Sequence, residues 1–338
     1  MNLSDPMRRR CLPLALLALT SARVGAQPAP AGRHPIFVLN SLDATISQID
    51  AATLKEVRRI PTGKEPHHLY LTPDEKSLIV ANAGGNSLTF VDPRTGDVQR
   101  VLPDIVDPYH LRFSPDMKWF VTAANRLNHV DLYHWLPADA ARPLKLVKRI
   151  EAPKTPSHLA IDSRSSVVYA SLQDSDELLA IDLATQSVRW KSKTGKLPAD
   201  IYLTPDDRTL LVGLTGDRVV EAYDVSANPP RLVKRIPTGE GAHAFRSMGD
   251  RRHVLVSNRV ANTISQIDHG TLSVVAELPG PGGPDCMELL AGGKTLLVSS
   301  RWARKVTMVD IPTRRVVQQV DVGRSPHGVW TLDHAPRQ

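Results

Sequence analysis

The chain has 338 residues, of which 41% are hydrophobic, 23% charged and 5% aromatic, a balance that fits a soluble globular protein and excludes a disordered or collagen-like one. No apolar run reaches the roughly eighteen residues that a membrane-spanning helix needs, so no membrane span is expected. The formal charge is +7; Arg8, Arg9, Arg10 and Arg23 against Asp5 supply +3 of it, and the remaining +4 is too diffuse to argue for nucleic acid.

The first feature along the chain is an address. Residues 7–10 are basic, 11–22 are mostly apolar, and Val24-Gly25-Ala26 offers the small residues of a cleavage site. This order predicts a signal peptide over residues 1–26 and a periplasmic destination. Cys11 precedes the apolar run, which argues against a lipoprotein. Residues 27–33, rich in Ala, Pro and Gly, read as a flexible lead-in. Loss of Cys11 with the signal leaves Cys286 as the one thiol, so no internal disulfide is expected.

From residue 34 the chain repeats itself. Pro66-His67-His68-Leu69-Tyr70-Leu71-Thr72-Pro73-Asp74 recurs as Pro108-Tyr109-His110-Leu111-Arg112-Phe113-Ser114-Pro115-Asp116, then from Pro156 and from Pro198, with weaker copies at Gly241, Pro284 and Pro326. Taking His68, His110, His158, Asp200, His243, Cys286 and Gly328 as equivalent, the steps are 42, 48, 42, 43, 43 and 42 residues. The long step carries an insertion around 136–143. Each unit holds four β-type runs, in the first unit 68–71, 77–81, 87–92 and 98–102, separated by turn chemistry such as Thr-Pro-Asp and Asn82-Ala83-Gly84-Gly85-Asn86. Four antiparallel strands at this period describe a propeller blade. The last unit has only a first strand, 327–332, and the runs 36–39, 45–49 and 56–60 supply the missing three. The expected fold is therefore all-β: a single seven-bladed β-propeller over 34–332, closed by one C-terminal and three N-terminal strands, with a tail at 333–338.

The residues also carry a family resemblance. Ser77-Leu78-Ile79-Val80-Ala81-Asn82 followed by Asn86-Ser87-Leu88-Thr89-Phe90-Val91-Asp92 and Thr95-Gly96 resembles the YVTN-type (YncE-like) propeller repeat. Val254-Leu255-Val256-Ser257-Asn258 with Asn262-Thr263-Ile264-Ser265-Gln266-Ile267-Asp268 is a second copy. YVTN-like repeats are similar to those of the haem d1 domain of cytochrome cd1 nitrite reductases, and Val121-Thr122-Ala123-Ala124-Asn125 with Asn128 resembles one blade of that domain. The resemblance implies a cofactor seated on the hub with histidines at its distal side, although no Cys-x-x-Cys-His motif accompanies it. The seven-bladed 6-phosphogluconolactonase family has longer, less regular repeats.

In a propeller the first strand of each blade lines the central channel. The equivalent positions His68, His110, His158, Asp200, His243 and Cys286 are all ligand-type side chains, and the seventh is Gly328. Counting His67 and His327 one residue earlier, six of the twelve histidines fall in these two columns. Neutral imidazoles and a thiolate suit copper, zinc or iron, and imidazoles also flank haem-type tetrapyrroles. The blander reading is that such histidines only hydrogen-bond neighbouring blades and are copied with the repeat. The turns between second and third strands open on the same face with Asn82, Asn125-Arg126, Gln173, Asn258-Arg259 and Arg301-Trp302. Arg126, Arg259 and Arg301, with Trp302, would suit an anionic ligand, and the asparagines read as turn formers.

No Ser-His-Asp order, phosphate loop or paired carboxylate names a hydrolytic mechanism. The leading reading is an exported, non-catalytic propeller that holds a metal, a metal-tetrapyrrole or an anionic small molecule over its hub. The competing readings are a lactonase-like hydrolase, a haem d1-related oxidoreductase or maturation factor, and a platform for a protein partner.

Overall fold

The computed structural model describes residues 32–139 and 141–337. The signal peptide expected over 1–26 lies outside them. The described chain forms seven separate four-stranded antiparallel sheets. No helix among the described residues is long and apolar enough to cross a membrane. The innermost strands are Pro66–Leu71, Pro108–Phe113, Pro156–Ile161, Pro198–Leu203, Ala242–Ser247, Pro284–Leu289 and Pro326–Thr331, which head blades 1 to 7 in that order. Blade 1 continues through Leu78–Asn82, Ser87–Val91 and Val98–Pro103, close to the four runs read from the sequence.

Blade 7 closes the ring as expected. Pro326–Thr331 pairs with Ile36–Asn40, which pairs with Thr45–Asp50 and then Lys55–Pro61. Ile36 stands opposite Thr331, and Val38 opposite Val329. The insertion in the long repeat is the connection 136–143 between the third and fourth strands of blade 2, tied off where Leu136 N donates to Pro143 O at 2.7 Å.

The pattern of apolar residues explains the assembly. Second and third strands are buried on both faces, as in the run Leu78-Ile79-Val80-Ala81-Asn82, whereas the outermost strands alternate and leave Val98 and Val101 in water. A sheet apolar on both faces must be covered on both, and in a closed ring each blade covers its neighbours. Seven hydrophobic layers result, one at each junction between blades. Phe37 and Trp330, with ring centroids 6.4 Å apart, sit in the layer between blades 7 and 1.

Two repeated devices set the upper end of the channel, where the first strands begin. The residue before each first strand has positive φ, from 44° at Asp107 to 80° at Gly241, and so turns the chain sharply inward. Each first strand then slips register within its opening residues, as between Pro66 and Leu69. Such a slip re-aims side chains, so that two successive residues reach the axis where a regular strand would present one.

The asparagines close their blades from inside. Asn82 Nδ2 donates to Ser87 Oγ and Thr89 Oγ1, and Asn40 and Asn258 repeat the clamp on Thr45 with Ser47 and on Thr263 with Ser265. All three are fully buried, in agreement with a structural reading. The tail is packed too. Asp333 accepts from the backbone N–H groups of Arg33 and His34, and Ala335 is buried against the lower end of blade 6, donating to Leu289 O at 2.7 Å.

Candidate functional site

The slipped strands fill the upper channel with two tiers of side chains. His67, Tyr109, His243, Asp285 and His327 come from the second position of their strands, and His68, His110, His158, Asp200 and Cys286 from the third. The repeat alignment expected His243 in the latter column, but the strand Ala242–Ser247 and its register put Ala244 there. Within the upper tier His67 lies 3.7 Å from His327 and 3.9 Å from Tyr109 between ring centroids, and it touches the lower tier at His68, 4.7 Å away. His68 stands at the centre, with His110 at 4.5 Å, His327 at 4.8 Å and His158 at 5.0 Å. His243 is further out, 5.7 Å from His158. Gly328 interrupts the ring for a steric reason, because a Cβ there would meet Leu39 Cδ1 at 3.0 Å and His67 O at 3.2 Å.

Hydrogen bonds fix the state of several rings. His68 Nδ1 lies 2.7 Å from Tyr109 O and His327 Nδ1 lies 2.8 Å from His67 O. A carbonyl oxygen only accepts, so in both rings Nδ1 carries the proton and Nε2 is left as a lone pair. A backbone carbonyl that orients one imidazole nitrogen while the other stays bare is the usual support of a metal-binding histidine. His158 Nδ1 meets Ser157 Oγ at 2.9 Å, whereas His110 Nδ1 is buried with no partner. One ligand atom each from His68, His110 and His158 lies within 4.8 Å of the others. The sets His67, His68, His327 and Asp285, Cys286, His327 satisfy the same limit.

Burial keeps these rings neutral. It lowers His67, His110, His158 and His327 well below the ordinary histidine value and takes His68 to about 3. It also raises Tyr109 to about 12 and Cys286 well above its usual range, so the sulfur at 3.4 Å from His327 Nδ1 is a thiol. Beneath the tiers lies a cavity of about 90 Å³ bordered by His68, His110, His158, Asp200 and Cys286.

Asp285 carries the remaining charge. Its side chain is wholly buried, with Arg259 Nη2 at 2.8 Å, Arg301 Nη1 at 3.1 Å, His243 Nδ1 at 3.1 Å and His327 Nε2 at 3.5 Å. Burial opposes its charge, but the cationic surroundings, led by Arg259, outweigh that and hold the carboxyl well below its usual range. Arg259 Nη2 also donates to His243 Nε2 at 2.7 Å, which leaves the ring proton on Nδ1, the nitrogen that faces Asp285. Asp285 Oδ1, His243 Nδ1 and His327 Nε2 nonetheless lack a well-aligned hydrogen bond.

The residues singled out from the sequence thus fall into three sets. His68, His110 and His158 come together, with His67 and His327 above them and Cys286 at their side. Asp200 borders the same cavity, but its oxygens accept from the N–H groups of Ile201 and Phe245, and burial raises its carboxyl to about 6. The arginines stand at the upper end as the topology requires, but they are already paired: Arg259 and Arg301 with Asp285, Arg126 with Glu65 at 2.7 Å and Asp107 at 3.1 Å. Trp302 lies outside on Gly283 and is 58% exposed. Sequence reasoning underweighted Asp285 and Tyr109. The available signal was the Asp in a column otherwise occupied by His, Tyr, Ser or Ala.

A family model described as a YNCE-like beta-propeller matches residues 11–337. An uncharacterized YncE protein of Salmonella typhi is 29% identical over 160 residues, which are 46% of this chain and 45% of that one; the match thus spans about half of the curated relative's length. Among solved structures, the Pseudomonas aeruginosa periplasmic gluconolactonase PpgL superposes with a TM-score of 0.72 at 18% identity, over 90% of this chain and 99% of that one. The dihydro-heme d1 dehydrogenase NirN, in complex with DHE, does so with 0.66 at 15% identity, over 91% and 77%. At such identities the likeness to these two is one of fold.

Proposed function

Since this chain belongs to the YncE-like β-propeller family, a fold whose first strands converge on a channel, we propose that it is an exported, non-catalytic propeller that binds a single zinc or copper ion through His68, His110 and His158. The observation that carries the reading is the bare Nε2 of His68, aimed among two further neutral imidazoles by the carbonyl of Tyr109. Imidazole nitrogens suit both metals, and a ring that burial keeps neutral needs to shed no proton before it binds. Ligand atoms on one ion at about 2.0–2.1 Å lie no more than about 4.2 Å apart, so the three rings would pivot slightly inward. Export follows from the reading of residues 1–26 and would place Cys286 in an oxidising compartment, where burial shields its thiol.

A haem-type tetrapyrrole fits this channel poorly. The space beneath the histidines is about 90 Å³, well short of the roughly 300 Å³ at which pockets for drug-sized ligands begin and so too small for a macrocycle, and the upper tier closes it from above. The NirN likeness therefore lends the fold and not the cofactor.

The test is competition against a chromophoric chelator for zinc and for copper, using protein purified from the periplasm with its N-terminus determined by mass spectrometry. Replacing His68, His110 and His158 together by Ala should cost more than the roughly 10–100-fold lost when a residue that only orients a ligand is removed. Equal affinity in wild type and the triple variant would overturn the reading.

A further inference from the structure

A second space opens at the lower end of the channel, where the first strands finish. It measures about 230 Å³ and shares Arg112, Phe245, Arg246 and Arg337 with the smaller cavity beneath the histidines. Two of its three arginines are structural. Arg246 and Arg337 both bind the buried Glu288, and Arg246 also donates to Ala335 O at 2.7 Å and Pro336 O at 3.0 Å, which fixes the packed tail as one wall.

Arg112 differs. Its one hydrogen bond is from Nε to Leu159 O at 3.2 Å, and it makes no ion pair among the described residues. Both terminal nitrogens are left for the cavity. The other carboxylates bordering the two spaces are occupied: Asp207 accepts from Ser163, and Asp200 from two backbone N–H groups. The walls are mixed, with an aromatic and aliphatic side set among polar residues such as Ser163, Thr204 and Ser247. Tyr70 faces the guanidinium, whose carbon is 5.4 Å from the ring centroid, and Ile201, Tyr202 and Phe245 also line the space. The anion expected over the upper arginines therefore has no free guanidinium fork there, whereas the opposite mouth presents one beside the side chains of Tyr70, Ile201 and Phe245.

We propose that the lower mouth is a separate site for a small organic carboxylate, held by a forked pair of hydrogen bonds from Arg112 with its apolar body against Tyr70, Ile201 and Phe245. The planar guanidinium matches a carboxylate bidentately, and a volume below that of drug-sized pockets limits the guest to the size of benzoate. The site uses none of the three histidines, which do not line the 230 Å³ space, although Arg112 also borders the cavity beneath them.

The experiment is calorimetric titration of the full mature chain with benzoate, benzyl alcohol and inorganic phosphate, each on chelator-treated and zinc-supplemented protein. Benzoate should bind, benzyl alcohol should not, phosphate should bind more weakly, and zinc should change nothing. Arg112→Gln should weaken benzoate at least tenfold. Arg112→Lys, which keeps the charge without the fork, should weaken it several-fold, and serves if the Gln variant melts early. Equal affinity in the variants, binding of benzyl alcohol as tight as benzoate, or a benzoate affinity that depends on zinc would each overturn the assignment. Phosphate binding as tight as benzoate would overturn the apolar part.

Discussion

A carboxylate withdrawn from water keeps its charge only where cations follow it inward, and Arg259 and Arg301 do so at Asp285 from two adjacent blades. Removing the acid strands both guanidinium groups at the channel mouth. Asp285→Asn should therefore destabilise the protein by about 3 kcal/mol, at the low end for a broken buried pair because both arginines retain some exposure. Urea melts would read this, and a change under 1 kcal/mol would count against it. The neighbouring imidazoles make a second expectation. His67, His68, His110, His158 and His327 are held neutral in the fold by burial, whereas the unfolded chain protonates them near 6.5. Unfolding below that pH takes up protons, so stability should fall as pH drops below 6.5, at up to about 1.4 kcal/mol per pH unit for each ring. Asp200, raised to about 6, works in the opposite sense between pH 6 and 3.8, one group against five. Metal-free protein whose urea midpoint is unchanged between pH 7 and 5 would contradict the neutral-ring picture. The repeat revealed these columns except at His243, which its weak fifth copy set one residue out of step, and the pairing of Arg259 and Arg301 with Asp285 was hidden. Those contacts join residues 16 and 26 positions apart, one within blade 6 and one across from blade 5, and no local pattern encodes them.

At the scale of the strand, turn residues such as Thr72-Pro73-Asp74 marked where each run ends, which is why the four strands of blade 1 were legible to within a residue or two. The register slip and the left-handed residue before each first strand were not. Leu197 and Thr155 hold positive φ there with side chains that give no hint of it, so the geometry is imposed by the ring and not by local preference. Gly283 is the position where that geometry is least forgiving. Its φ is 70°, and a Cβ would stand 2.5 Å from the indole of Trp302. Gly283→Ala should cost about 1–3 kcal/mol and shift tryptophan emission as Trp302 is displaced. An unchanged spectrum and melting temperature would show that the loop yields without effort.

For the whole molecule, closure was readable because one repeat lacked three strands at one end of the chain and the other end had three to give. Blade 7 depends on Pro326–Thr331 as its innermost strand, and that strand also carries His327 into the upper tier. Deleting residues 326–338 exposes the edge of Ile36–Asn40, uncovers the apolar layers around Trp330 and Val329, and removes the wall made by Ala335. The truncated chain should lose cooperative unfolding or melt far below the intact protein, as followed by calorimetry. A midpoint within a few degrees of wild type would show that the ring closes without it.

The same joint has a mechanical side. The closing pair is antiparallel, with Ile36 opposite Thr331, so both described ends leave it from the same side. A force applied between the two ends must first free the tail, where Arg337 is paired with Glu288 and Ala335 is bonded to Leu289, and then meets the contact of His34 with Asp333 and the ladder, one rung at a time. That is peeling and not shear. Loaded in parallel, the rungs would resist together, but in this direction each fails alone. The ring should therefore open like a zip under tension, blade 7 first, at a force set by single hydrogen bonds.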